Sequence, residues 1–144
     1  MKYLRFFEAK DDLEKDHILT SLKAYMKEVD KNWNYITPLD LKKDLDKDPN
    51  KYFLLDIRKP EDFNTGHIKG SKNIFWKELL ENLDKLPKDK KIVLICYVGH
   101  TSSQMLISLR MLGYDVISLK FGMGVSPVEG VPVSGWLDYG FPVK

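Results

Sequence analysis

Apolar and polar positions alternate along this chain with two different periods, and each period predicts a different element. Between residues 11 and 33, Ile18, Leu22, Tyr25 and Val29 recur at spacings of four, three and four, with Met26 and Trp33 widening the stripe and Lys, Asp and Glu filling the opposite face. That is an amphipathic helix, and its stripe needs a partner. Thr37-Pro38 then supplies a cap and a preorganised first turn for a short helix through about Asp46, which Pro49-Asn50 ends. Residues 52–57, YFLLDI, form an apolar run suited to a strand covered on both faces. A polar segment with Pro60 and Phe63 follows, then a short strand near Asn73 to Phe75, and a helix over 76–86 with Leu79, Leu80, Leu83 and Leu86 on one face. Strands at 92–95 and 116–119 flank a helix from about Ser102 to Leu112, which Gly113 closes. Strands alternating with helices predict an α/β fold: a central, mostly parallel β-sheet with helices on both faces.

Composition narrows this picture. A chain of 144 residues, 43% hydrophobic, is long enough for one substantial core and too short for two full-size domains. The expected organisation is an N-terminal helical extension, residues 1–34, and one domain, residues 35–144. The extension suits a helix docked on its own domain, a dimer contact, or a spacer from a lost membrane anchor. Twenty-three basic and 21 acidic side chains are mixed along the chain, leaving a net charge of +2 and no basic stripe, so nucleic acid is not an expected partner. No apolar run reaches membrane-spanning length, and the N-terminus lacks the apolar core of a signal peptide. The expected location is cytoplasmic, although a trimmed export leader would leave the same sequence. His17 has no ligand-type partner at metal spacing and reads as a surface histidine; no metal or other cofactor is called for.

The candidate chemistry sits at Cys96, the one cysteine, at the carboxyl end of a predicted strand where parallel α/β folds gather their ligands. A lone cysteine makes no internal disulfide and no thiolate-rich metal site. It precedes a helix N-terminus, where free amides and the dipole favour an anion. An ordinary cysteine is only roughly 3% thiolate at neutral pH, and a helix dipole contributes about 0.3–1 kcal/mol, less than one pKa unit. Backbone N–H groups from Tyr97 to Ser102 could add charge-assisted bonds of about 1.5–3 kcal/mol each, so a loop wrapped around the sulfur would decide the matter. Gly99 allows the turn, Thr101 or Ser102 can cap the helix and donate a hydroxyl, and His100 offers a positive charge or a proton shuttle. On the residues alone, a reactive thiol and an inert buried cysteine both remain open.

Three segments in series carry a resemblance. The loop Cys96-Tyr97-Val98-Gly99-His100-Thr101 resembles the active-site loop of the rhodanese (sulfurtransferase) family, a Cys-x-x-Gly-x-Arg/Thr pattern. Leu54-Leu55-Asp56-Ile57-Arg58, Pro60-Glu61-Asp62-Phe63 and Gly66-His67-Ile68-x-Gly70 are similar to its upstream signature. Gly113-Tyr114, the strand to Leu119, Trp136 and Tyr139-Gly140-Phe141-Pro142-Val143 resemble its closing segment. The resemblance spans roughly residues 35–144 and implies a single-domain rhodanese-like fold. It implies that Cys96 takes a sulfane sulfur from a donor such as thiosulfate or mercaptopyruvate, becomes a persulfide, and passes the sulfur to cyanide, a thiol, or a protein acceptor. The sulfur-binding loop would be Tyr97, Val98, Gly99, His100, Thr101 and Ser102, with Asp56, Arg58, Glu61 and His67 in support.

The departures shape the expectation. Thr101 stands where Arg is commonest, removing a fixed cation that would attract an anionic donor. Ser71 replaces a usual Ala and Lys69 a frequent Pro, both read as surface-compatible. The run MGVSPVEGVPVSG, residues 123–135, lengthens the approach to Trp136 and reads either as a gate or partner surface beside the cysteine or as a passive loop. A non-catalytic sulfur-carrier or protein-binding module of the same family is the alternative function. A phosphatase of the Cys-x5-Arg type is disfavoured, because the position it needs as Arg is Ser102.

Overall fold

The computed structural model describes residues 12–29, 33–124 and 134–144. Its centre is a five-stranded, all-parallel sheet in the order β1-β5-β4-β2-β3, built from β1 (Tyr35–Ile36), β2 (Phe53–Asp56), β3 (Lys72–Asn73), β4 (Ile92–Ile95) and β5 (Val116–Leu119). The middle three strands are apolar because each is covered on both faces. Alternate side chains of β4 serve two cores. Ile92, Leu94 and Cys96 join Leu55, Met105, Leu106 and Leu109 on one face, while Val93 and Ile95 join Leu41, Leu54, Ile117, Met123 and Trp136 on the other.

The first face is covered by α4 (His100–Met111) and a 3-10 segment, Trp76–Lys85; the second is covered by α2 (Pro38–Lys47). Helix α2 starts as its sequence predicts. Thr37 Oγ1 accepts from the Asp40 amide at 3.1 Å and donates to the Asp40 carboxylate at 2.6 Å. Its last turn is tied to the start of β2: Asp44 accepts from Tyr52 Oη at 2.6 Å and from Lys51 Nζ at 2.8 Å.

Several expectations are corrected. Residues 76–86 do not form an α-helix; the segment is 3-10, interrupted at Asn82 (φ −122°, ψ 29°), and of the spaced leucines Leu80 faces solvent. The polar segment after Arg58 contains a short helix, α3 (Pro60–Thr65). Helix α4 begins at His100, two residues before the expected Ser102, and its cap is Gly99 without a side-chain cap bond. Helix α1 (Asp12–Glu28) stops short of Trp33, which sits in a turn at φ +56°. It packs on α4 through Tyr25, and none of its residues is buried, so among the described residues most of its apolar stripe is without the partner that the pattern calls for. Ser71 is buried, donating to the Ile68 carbonyl at 2.6 Å, whereas Lys69 is exposed as expected. Residues 125–133 of the extra loop lie outside the described residues.

Candidate active site

Strand β4 ends at Ile95, which pairs in register with Asp56 at the end of β2, and Cys96 is the next residue. The cysteine is only 2% exposed. Its side chain continues the apolar row of Ile92 and Leu94, which points the sulfur beneath the start of α4. The backbone then folds around it. Gly99 takes φ +92°, a left-handed turn that glycine adopts without strain, and its amide donates to Sγ at 3.1 Å. The Ser102 amide, in the first helical turn, approaches Sγ at 3.4 Å, and Ser102 Oγ lies 3.3 Å away. Three polar groups thus converge on one sulfur. The first amides of α4 have no intrahelical acceptor, and those of Gly99 and Ser102 take the sulfur instead.

A second tier of hydroxyls holds this turn. Ser102 Oγ donates to the Gly99 carbonyl at 3.1 Å and lies 2.7 Å from Ser118 Oγ on β5. Ser103 Oγ donates to the same carbonyl at 2.6 Å and meets Tyr35 Oη from β1 at 3.0 Å. From beneath, the segment after β5 clamps the loop: the Met123 amide donates to the Cys96 carbonyl at 2.8 Å, and the Gly124 amide to that of Tyr97 at 3.0 Å. Gly122 permits this approach, since a Cβ there would lie 2.2 Å from the Cys96 carbonyl oxygen. Trp136 and Leu137 extend the clamp, donating to the carbonyls of Gly122 and Met123 at 3.0 and 2.9 Å.

Beside the loop, Asp56 and Arg58 form a buried ion pair, with Nη2 2.8 Å from Oδ2 and Nε 3.1 Å from both carboxylate oxygens. Arg58 Nη2 also donates to the Gly66 carbonyl at 2.8 Å, fastening the end of α3 to β2. Asn73 Nδ2 donates to the carbonyls of Asp56 and Arg58 at 2.9 and 3.0 Å. Tyr97 reaches sideways to donate to the Asp62 carboxylate; burial first, and that bond second, push its phenol above the ordinary tyrosine range. A cleft of about 240 Å³ opens here, lined by Arg58, Asp62, Gly66, Tyr97, Leu137 and Val143.

The residues picked out from the sequence divide accordingly. Gly99 and Ser102 touch the sulfur. Tyr97 and Val98 form the half-buried arm of the loop, and Thr101 is half-buried in the first turn of α4. His100 is exposed, and no bond joins it to Sγ. Asp56 and Arg58 brace the loop's neighbour, β2. His67 stacks on Phe63 with ring centroids 3.8 Å apart and exchanges backbone bonds with Lys144, at 3.2 and 2.9 Å. Glu61 is exposed in the first turn of α3, away from the sulfur's partners. Ser118, Asn73, Gly122 and Tyr35 were not anticipated as parts of the site; Ser118, a lone hydroxyl in an apolar strand, is the one that left a signal. Among the described residues, no group of three or more His, Cys, Asp or Glu is placed to hold a metal ion, and no helix is long and apolar enough to cross a membrane.

Comparison with known proteins identifies the fold and the family. The family model for the rhodanese-like domain matches residues 37–124. The probable adenylyltransferase/sulfurtransferase MoeZ of Mycobacterium tuberculosis is 35% identical over 92 residues, covering 61% of this chain and 23% of that protein. The thiosulfate sulfurtransferase GlpE of Pseudomonas aeruginosa is 33% identical over 70 residues, 48% of this chain and 64% of its own length. The match therefore spans a quarter to two thirds of these relatives. A rhodanese-related protein from Thermoplasma volcanium superposes with a TM-score of 0.62 at 29% identity, covering 76% of this chain and 96% of that one. A Lactobacillus plantarum protein with a TM-score of 0.64, at 21% identity, shares the fold. With the family match covering both Asp56-x-Arg58 and the loop that encloses Cys96, this chain belongs to the rhodanese-like domain family.

Proposed function

We propose that this protein is a sulfurtransferase that carries sulfane sulfur as a persulfide on Cys96. Residues 35–144 are the sulfur-handling domain in this reading, and residues 1–34 a helical extension. One observation carries it: the amides of Gly99 and Ser102 and the hydroxyl of Ser102 converge on Sγ at 3.1, 3.4 and 3.3 Å, a donor set suited to negative charge on sulfur. An inert buried cysteine needs no such set. The relatives named as sulfurtransferases support the same chemistry.

The reaction divides into two displacements. The Cys96 thiolate attacks the outer sulfur of thiosulfate, the S–S bond breaks, and sulfite leaves with the bonding pair. The terminal sulfur of the new persulfide holds the negative charge, within reach of the loop amides. Cyanide or a thiolate then attacks that terminal sulfur, taking it as thiocyanate or a new persulfide and restoring the Cys96 thiolate. Tyr97, Val98, His100 and Thr101 complete the loop; Asp56, Arg58, Glu61 and His67 act on its framework. With Thr101 in place of a cation, an anionic donor is held by amides and hydroxyls, so mercaptopyruvate or a protein persulfide serves as well as thiosulfate. A tRNA sulfurtransferase of Pyrobaculum aerophilum, 32% identical over 77 residues, 54% of this chain and 16% of that protein, supports sulfur transfer as the chemistry. A reducing compartment such as the cytoplasm would keep Cys96 available as a thiol.

Steady-state assays of thiocyanate formation test the reading. Parallel double-reciprocal lines with thiosulfate or mercaptopyruvate as donor, abolished in Cys96→Ser, are expected. No turnover with any donor, despite a folded protein, would instead favour the carrier or binding module, for which the deep burial of Cys96 is the supporting observation.

A further inference from the structure

Among the described residues, helix α1 meets the rest of the chain along one edge. Tyr25 packs on the core face that holds Met105, Leu109 and Tyr114, and Ser21 and Tyr25 line a shallow groove with Arg110 and Tyr114. The apolar stripe lies about a quarter-turn around the helix from that edge, because successive residues advance by about 100°. It therefore faces solvent: Ile18 is 48% exposed, Leu19 47%, Leu22 36% and Met26 68%. Single exposed apolar residues are ordinary, but four on one face of one helix form a patch that calls for a cover.

The charges bordering the patch say what covers it. On the side away from the docked edge run Asp12 and Asp16, then Lys23 and Lys27, so the border is acidic in its first half and basic in its second. We propose that this face is a dimer interface, covered by α1 of a second copy of the chain running antiparallel. In that orientation Asp12 opposes the second copy's Lys27 and Asp16 opposes its Lys23, and the two-fold axis repeats both pairs. Leu19 then sits near the axis, Ile18 packs against the second copy's Leu22, and Met26 lies over the aliphatic stem of Lys15, whose ammonium stays at the rim beside Asp12, 3.5 Å away. A parallel pairing would set the acidic ends side by side. The 17-residue helix is about 25 Å long, enough for this one seam, so the dimer is concentration-dependent rather than permanent. The proposal does not depend on what Cys96 does.

Sedimentation equilibrium of the full chain over a wide concentration range tests it. The apparent mass should climb toward twice that of the chain. Leu22→Asp should weaken association at least tenfold, with the circular dichroism unchanged and the unfolding midpoint unchanged when both proteins are dilute enough to be monomeric. Two charge variants sharpen the test: Asp12→Lys with Asp16→Lys makes the border wholly basic, and Lys23→Asp with Lys27→Asp makes it wholly acidic. Each should be monomeric alone, and an equimolar mixture should dimerise. A protein that stays monomeric at every concentration would overturn the proposal, as would a dimer that survives Leu22→Asp and both charge variants unchanged.

Discussion

Ser118 Oγ lies 2.7 Å from Ser102 Oγ, both side chains fully buried, so a hydroxyl on β5 is joined to the hydroxyl beside Cys96. Ser102 has one proton and, besides Ser118, two acceptors in reach, the Gly99 carbonyl and Sγ. While sulfur keeps its own proton, the thiol can donate to Ser102 and Ser102 to Gly99. Once sulfur is anionic, Ser102 turns its proton to Sγ, and Ser103, 2.6 Å from the Gly99 carbonyl, keeps that oxygen satisfied. Ser118 donates to Ser102 in both states. Ser102→Ala should therefore slow persulfide formation about tenfold, the equivalent of one hydrogen bond to a charged group, and Ser118→Ala by a smaller factor. Stopped-flow measurement of sulfite release in a single turnover reads both.

Gly122 permits the clamp under the cysteine loop. At φ +52°, with a Cβ 2.2 Å from the Cys96 carbonyl oxygen, Gly122→Ala must move either the loop or the segment after β5. Strain and overpacking together should cost about 2–4 kcal/mol. Urea unfolding monitored by tryptophan fluorescence gives the stability, and the variant's single-turnover rate shows whether the loop moved.

The Asp56–Arg58 pair has no solvent to fall back on. Asp56→Asn leaves a guanidinium buried against a neutral amide, and should cost about 3–5 kcal/mol. Arg58→Met strands the carboxylate at similar cost. The double variant Asp56→Leu with Arg58→Met should lose less than the two singles combined, which a double-mutant cycle in urea measures.

Asp44 links stability to acid pH. Hydrogen bonds from Lys51 and then Tyr52 hold its carboxyl below the ordinary 3.8. A folded pKa below the unfolded one gives stability that is present in full above the unfolded value and lost as pH falls through the folded one. Asp44→Asn should therefore be less stable than the native protein at neutral pH, with the gap closing below about pH 4 as the native carboxyl protonates. Lys51 is exposed and Asp44 only half-buried, so the gap is small and shrinks with salt. Thermal melts from pH 3 to 7 at two ionic strengths measure it.

What could be read from the sequence was whatever a local pattern decides. The strands at 92–95 and 116–119 have the predicted bounds, because a short apolar run between polar ends admits little else. Thr37-Pro38 marked the start of α2 because capping is a three-residue affair. Strand β1, with two residues, and α3, with six, are too short to show a period. The leucines at 79, 80, 83 and 86 are spaced for an α-helix, but Asn82 breaks the segment, and a 3-10 backbone sets them at different angles. In the site, Cys96, Gly99 and Ser102 lie within seven residues, and their meeting follows from the turn between them. Ser118, Asn73 and Gly122 reach the same place from other strands and loops, which no local pattern encodes. The burial of Ser71 likewise escapes a local pattern, because it depends on residues brought over it by the fold.

The central claim is that Cys96 carries the sulfur. Intact-protein mass spectrometry after incubation with thiosulfate, and separately with mercaptopyruvate, tests it on one atom. The wild type should gain the mass of one sulfur, lose it again on addition of cyanide, and show neither change as Cys96→Ser. A folded wild-type protein that gains no sulfur from either donor, or a Cys96→Ser variant that gains it equally, would contradict the claim.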